Sequence, residues 1–282
     1  MSGVLRKAAI TGHPVSHSRS PLIHGYWLKK HGLEGEYGRL DVPPEDAERF
    51  YGNFRDAGLI GANVTVPFKE IAAKACDWLD EAASAMGAAN TLWLDENGRL
   101  CGANTDGLGF LGNLDQLAPN WDENSGTAVV LGAGGAARAI VWALISRNYT
   151  TVHIVNRTRE KAEKISDEFG AGTVAHDWDN LGTTLAVADV LVNTTSLGMT
   201  GKPPLEIDLS NLPAHTLVND IVYSPLETDL LKLAAARGNP TVDGIGMLLH
   251  QAVPAFERWF GERPVVTDEL RTLALKDLGV IA

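Results

Sequence analysis

The chain has 282 residues, of which 45% are hydrophobic and 21% charged, enough for one large core or two ordinary ones and unlike a disordered chain. Its formal net charge of −11 argues against a nucleic-acid partner, because a phosphate backbone requires a basic stripe. Cys76 and Cys101 have neither CxxC nor zinc spacing, and His13 and His17 flank Pro14 and cannot align on a helix, so no metal site is expected. No run reaches about 18 apolar residues and the amino-terminal residues carry no long apolar core. Neither a membrane span nor a leader is expected, and the location read from this is cytoplasmic.

Residues 8–11 read as a first strand, followed by the polar segment 12–21. Pro21 suits the first position of a helix with Ser20 as its cap, running to about Lys30. Ser18 and Ser20 lie two apart, so an extended backbone aims both hydroxyls one way. Capping accounts for Ser20 but not for Ser18, and the pair is a candidate anion site. Pro43-Pro44-Glu45 opens an amphipathic helix through Phe50 and Phe54 to about Gly58. A short strand from Asn63 is broken by Pro67, and a helix is expected from Glu70 to Leu79; by itself, Lys69 is a solvated lysine at that helix start. Two strand-like runs, from Thr91 and from Arg99, flank Asn97-Gly98, the pair that suits a type I′ hairpin. Asp106, set between small residues, is ordinarily a turn-maker, and a helix over 109–117 follows. The region before about residue 106 is thus a separate α/β unit.

Next, the β-branched run from Thr127 enters Gly132-Ala133-Gly134-Gly135-Ala136, and Ala139, Ile140, Ala143 and Leu144 leave it at helical spacing. Gly132 permits a tight turn, Gly134 lets backbone N–H groups approach a pyrophosphate, and small Ala137 lets helix and strand pack closely. The helix start offers unpaired N–H groups and a positive dipole end. A second strand over 151–155 ends in Asn156-Arg157-Thr158, where a carboxylate would hold the ribose hydroxyls of NAD. A guanidinium, a hydroxyl and an amide stand there instead, with Arg159 and Lys161 close behind, and they suit a phosphate monoester. The alternative is that Thr158 caps the next helix and the arginines are solvated. NADP is the cofactor this pattern favours. Because the chain is acidic, the cations must be focused locally against the field of the rest.

Alternation continues through a helix to about Phe169, a weak segment around Val174, strands over 188–192 and 216–221, a helix over 226–237 and a short strand at 241–243. Strands alternating with helices imply a parallel sheet covered on both faces. From Gly244 a helix carrying Gln251 runs through Phe260, and another spans 268–276. Too few residues remain for a third domain, so these helices are expected to pack back on one of the two.

Seven segments, His17-Ser-Arg-Ser-Pro21, Asn63-Val-Thr-Val-Pro-Phe-Lys69, Ala89-Asn90-Thr91, Asn104-Thr-Asp-Gly107, Gly132-Ala-Gly-Gly-Ala, Asn156-Arg-Thr158 and Gly244-Ile-Gly-Met-Leu-Leu-His-Gln251, occur in an order that resembles the shikimate dehydrogenase family nearly end to end. That family reduces 3-dehydroshikimate to shikimate with NADPH in aromatic amino-acid (chorismate) biosynthesis. The resemblance implies Lys69 and Asp106 as the catalytic pair. It implies Ser18 and Ser20 on the substrate carboxylate with Tyr223 nearby, and Thr65, Asn90 and Gln251 on ring hydroxyls. Ile221 and Gly244 match positions lining the nicotinamide. It further implies a substrate domain of residues 1–105 plus 244–282 and an NADP-binding Rossmann domain of 106–243, with the C-terminal helices on the first. One departure is His13, where many relatives have Asn. The sequence leaves oligomeric state open, with a homodimer as the candidate assembly. Two rival readings stand beside this one: a quinate/shikimate dehydrogenase preferring NAD, and a catalytically silent sensor of a shikimate-like acid.

Overall fold

The computed structural model describes residues 5–123 and 125–281. Backbone proximity divides it into two compact units, one running to Thr105 and taking up Gln251–Asp277, the other formed by Asp106–His250. Each is built on its own six-stranded sheet.

In the first unit β1 (Lys7–Gly12), α1 (Ser20–His31), β2 (Glu36–Asp41), α2 (Ala47–Gly52), β3 (Gly61–Val64), α3 (Lys69–Ala75), β4 (Trp78–Leu79), α4 (Glu81–Met86), β5 (Thr91–Leu94) and β6 (Leu100–Ala103) follow in chain order. The sheet order is β2-β1-β3-β5-β6-β4. β1 is parallel to β2 and β3, whereas β5 is antiparallel to β3 and β6. The carboxyl ends of β1, β3 and β6 and the amino end of β5 therefore share one edge. Tyr51, Phe54, Phe68, Leu92 and Leu100 fill the core beneath it.

Several local expectations give way here to tertiary pairing. α1 begins at Ser20, after Arg19, and Ser20 makes no capping bond. The helix expected through Phe50 and Phe54 is broken into a turn at Pro44–Asp46, α2, and a further turn at Phe54–Ala57. α3 stops at Ala75, so Trp78 and Leu79 are a strand rather than its last turn. Asp77 draws the chain onto β6 instead: its N–H donates to the Leu100 carbonyl and its carboxylate accepts the Leu100 N–H, both at 2.7 Å. The hairpin is not a two-residue I′ turn, since only Gly98 of the Asn97-Gly98 pair has positive φ. Asp95 organises a longer loop by accepting the backbone N–H groups of Asn97 and Arg99.

The second unit contains α5 (Asp106–Leu117), β7 (Thr127–Leu131), α6 (Gly135–Ser146), β8 (Thr151–Val155), α7 (Arg159–Phe169), β9 (Thr173–His176), α8 (Leu181–Leu185), β10 (Val190–Asn193), β11 (Leu217–Asp220), α9 (Asp229–Ala236), β12 (Thr241–Val242) and α10 (Ile245–His250). Its sheet, β12-β11-β10-β7-β8-β9, is parallel throughout. Side chains on a strand alternate between faces. Accordingly Ala128 and Val130 enter one core with Ile140 and Leu144, while Val129 and Leu131 enter another with Leu205 and Leu230. Burial on both faces explains the unbroken apolar run.

The sequence placed the return to the first unit at Gly244. The structure moves it to Gln251, because α10 packs closely along α5. A Cβ on Gly246 would run into the Asn113 amide, and one on Gly112 would sit 2.7 Å from the His250 ring. α11 (Ala252–Phe260) and α12 (Asp268–Asp277) do belong to the first unit. Trp259 donates from Nε1 to the Leu92 carbonyl at 3.0 Å, and Tyr26 donates to Glu269 at 2.6 Å.

Candidate active site

Six of the sequence-predicted residues lie at the shared edge of the first sheet or on the segments leaving it. Ser18 and Ser20 follow β1, and their hydroxyls are 3.3 Å apart. Thr65 follows β3 in a turn in which its carbonyl accepts the Phe68 N–H at 3.1 Å. That turn delivers half-buried Lys69 to the first position of α3. The Lys69 carbonyl accepts the Ala89 N–H at 2.9 Å, which ties the helix start to the approach to Asn90. Asn90 precedes β5, and its Nδ2 donates to Gln251 Oε1 at 3.3 Å. The edge thus gathers two hydroxyls, a further threonine, two amides and one ammonium, a donor-rich set suited to a carboxylated polyol.

Two residues that the sequence reading did not single out as site residues join this set. Tyr37, on β2, donates to Asn63 Oδ1 at 2.7 Å and is linked to the Ser20 side chain; burial pushes its phenol pKa well up. Asn63 is a buried amide on an otherwise apolar strand, and both that amide in an apolar run and its place at the head of the Asn63–Lys69 segment could have marked it. Tyr37 carried no such signal.

In the second unit the cofactor candidates occupy the carboxyl ends of the parallel strands. Sequence order reverses between β7 and β10, the place where open parallel sheets bind ligands. Gly132 follows β7 with φ of 107°, and a Cβ there would lie 2.8 Å from Thr194 Oγ1 on the β10 loop. The Thr194 hydroxyl donates to the Leu131 carbonyl at 2.6 Å and locks the two loops together. Ala133, Gly134, Gly135 and Ala136 continue into α6, which has no side-chain cap and no acidic residue in its first turn. A Cβ on Gly134 or Gly135 would enter open space. Backbone donors facing open space at the start of a twelve-residue helix fit a pyrophosphate.

Asn156, Arg157 and Thr158 follow β8, and Asn156 Nδ2 donates to the Thr158 carbonyl at 2.8 Å. Arg157, Thr158 and Lys161 are exposed, as a site for a charged phosphate requires. Thr158 precedes α7 without making a side-chain capping bond, unlike the cap that the alternative reading expects. Ile221 and Tyr223 follow β11, and Gly244 follows β12 so closely that a Cβ would overlap the Ile221 carbonyl. Buried Asp220 shapes this segment, accepting from Val222 N, Asn193 Nδ2 and Thr228 Oγ1 at 3.0, 3.0 and 2.7 Å. Burial raises its pKa to about 6. Asp106 is the half-buried first residue of α5. Among the described residues no cluster of three metal-ligating side chains occurs, and no helix is long and apolar enough to cross a membrane.

A Rossmann-type dinucleotide unit, in one chain with a second α/β unit whose sheet edge is lined by donors, defines a nicotinamide-dependent oxidoreductase. Family models describe residues 10–92 as a shikimate dehydrogenase substrate-binding domain, 116–200 as shikimate/quinate 5-dehydrogenase and 244–266 as a shikimate 5′-dehydrogenase C-terminal domain. The chain is 55% identical over 274 residues to the shikimate dehydrogenase (NADP(+)) of Azorhizobium caulinodans, covering 97% of each. Among solved structures, it matches the Thermus thermophilus shikimate 5-dehydrogenase in complex with NADP(H) and shikimate at 34% identity and a TM-score of 0.82, over 97% of this chain and 99% of that one. It also matches the Corynebacterium glutamicum quinate dehydrogenase in complex with NAD at 31% identity and a TM-score of 0.87, over 96% and 99%. The chain belongs to the shikimate dehydrogenase family.

Proposed function

We propose that this protein interconverts 3-dehydroshikimate and shikimate with NADP, using Lys69 and Asp106 as its acid–base pair. The observation that carries the reading is the 55% identity, spanning 97% of both chains, to a relative named for that activity. The donor-rich sheet edge and the cationic end of β8 support it independently.

When bound, the nicotinamide supplies the hydride; the chain supplies binding, alignment and the proton. Ser18 and Ser20 hold the substrate carboxylate, assisted by Tyr223, while Thr65, Asn90 and Gln251 hold ring hydroxyls. Gly132, Ala133, Gly134, Gly135 and Ala136 present backbone to the pyrophosphate. Asn156, Arg157, Thr158 and Lys161 take the 2′-phosphate, and Ile221 and Gly244 wall the nicotinamide. As the carbonyl becomes a hydroxyl, Lys69 gives its oxygen a proton and stabilises the negative charge developing there. Asp106 accepts a hydrogen bond from that hydroxyl and orients the lysine. The enzyme works in the cytoplasm in this reading, and a homodimer is the assembly to look for by sizing.

A positioned acid contributes about 10²–10⁴-fold. Lys69→Ala should therefore lower turnover by at least that order while NADP binding stays intact, and normal turnover in the variant would refute the assignment. A second reading, quinate oxidation with NAD, is favoured by the match to the Corynebacterium enzyme. Comparing kcat/KM for both acids with both cofactors separates the two.

A further inference from the structure

His153 on β8 and His176 at the end of β9 face each other, with Nδ1 of the first 2.9 Å from Nε2 of the second. Both rings are half-buried, with centroids 4.9 Å apart and planes tilted by 58°. At this distance one N–H must face one lone pair, so the neutral pair shares a single proton. An added proton goes to the outer nitrogen of the donor ring and makes the contact a charge-assisted bond between imidazolium and imidazole. A second would set N–H against N–H. The pair therefore carries one positive charge at most.

The pair lies at the root of the cationic turn. The His176 carbonyl accepts the Asn156 N–H at 3.1 Å, and His176 stands in register with Val155, the last residue of β8. Arg159, which opens α7 and pairs with Glu163 at 2.9 Å, opposes protonation of His176, whereas Asp177, next in the chain, favours it. Among the described residues, these two and the facing ring are the charged or titratable groups that act on the pair. Burial is the larger influence and lowers the pKa of both rings, so the pair is neutral near pH 7. A phosphate monoester held by the turn brings up to about two negative charges, which offset the field of Arg159.

We propose that the His153–His176 pair is a specificity-determining element for the cofactor. It takes up one proton when a 2′-phosphate occupies the turn beside it, adding a cation that NADP recruits and NAD does not. This rests on the reading that Asn156, Arg157, Thr158 and Lys161 hold that phosphate. Protonation and phosphate binding favour each other, so the contribution to NADP affinity is absent at high pH and grows as pH falls through the titration of the loaded pair. The phosphate gains its own proton at about pH 6, which weakens binding. Parent and variant are therefore compared at the same pH.

The test measures dissociation constants of NADP and NAD for the full chain and for His176→Gln, at about pH 8 and about pH 6. A cation near a dianion in a solvated, screened site is worth about 3–10-fold in affinity. At the higher pH the two proteins should bind NADP alike. At the lower pH the variant should bind it about 3–10-fold more weakly, with NAD bound alike throughout. A merely structural role would weaken NADP at both pH values and NAD with it, and that result overturns the proposal, as does equal NADP affinity at the lower pH. NMR titration of the parent reads the proton directly. The imidazole resonances missing from His153→Gln or His176→Gln should titrate at higher pH with NADP bound than with NAD, and equal midpoints overturn the proposal. A parent that binds NADP no better than NAD at either pH defeats the reading of the turn; one that prefers NADP while the variant's loss stays flat with pH defeats the pair alone.

Discussion

His24 offers a quantitative test of the first unit's core. It is 0% exposed on α1, stacked on Tyr37 with ring centroids 4.1 Å apart and surrounded by Trp27, Phe256 and Trp259. Neither ring nitrogen has a partner in hydrogen-bond geometry. Burial lowers its pKa from 6.5 to about 3, against a smaller opposing pull from Asn63. The unfolded chain therefore binds a proton near pH 6.5 that the folded protein refuses until about pH 3. Stability is highest above that window and falls as pH drops through it. Between pH 7 and pH 4.5 this one group should cost about 2–3 kcal/mol. His24→Phe keeps an aromatic ring and removes the proton. Urea unfolding followed by tryptophan fluorescence should show the parent losing about 2–3 kcal/mol more than the variant between the two pH values. At a slope of about 2–3 kcal/mol per molar, that is a midpoint difference of about 1 M. Equal losses would show that His24 is not held neutral in an aromatic box.

Asp220 makes the opposite prediction in the second unit. Its folded pKa, raised by burial to about 6, lies above the unfolded value of 3.8, so its contribution to stability is lost as pH rises from about 4 to 6. Relative to Asp220→Asn, the parent should lose up to about 3 kcal/mol across that window in thermal melts, and parallel curves would contradict it. Arg157→Ser should raise KM for NADP about 10–100-fold, the worth of one hydrogen bond between charged groups, and leave the weaker NAD reaction unchanged. Equal effects on both cofactors would move the 2′-phosphate elsewhere.

The alternation of strands and helices, the glycine turn and the cationic end of β8 were legible because each rests on local pattern: period, turn chemistry and the residues that follow a strand. The first unit was harder. Trp78 and Leu79 carry helical company in sequence, yet their backbone is taken by β6 through Asp77. α4 was missed although Asp80 caps it by accepting the Ala83 N–H at 2.7 Å, a signal that directly follows the helix expected to end at Leu79 and reads there as its terminus. Lys69 and Asp106 were ordinary by composition, and only their motifs distinguished them. Of the Tyr37–Asn63 pair, Asn63 opens one of the seven segments but Tyr37 lies in none, and their hydrogen bond is hidden because it joins strands whose register the sequence does not display.

The central claim is that this chain oxidises shikimate with NADP. Purified protein supplied with shikimate and either NADP or NAD, followed at the absorbance band of the reduced nicotinamide, tests it most directly. Rapid appearance of NADPH with little NADH is the predicted result. Preference for NAD or for quinate would overturn the reading of Arg157 or of the acid pocket, and no reduction with either acid would contradict the account and favour a silent sensor.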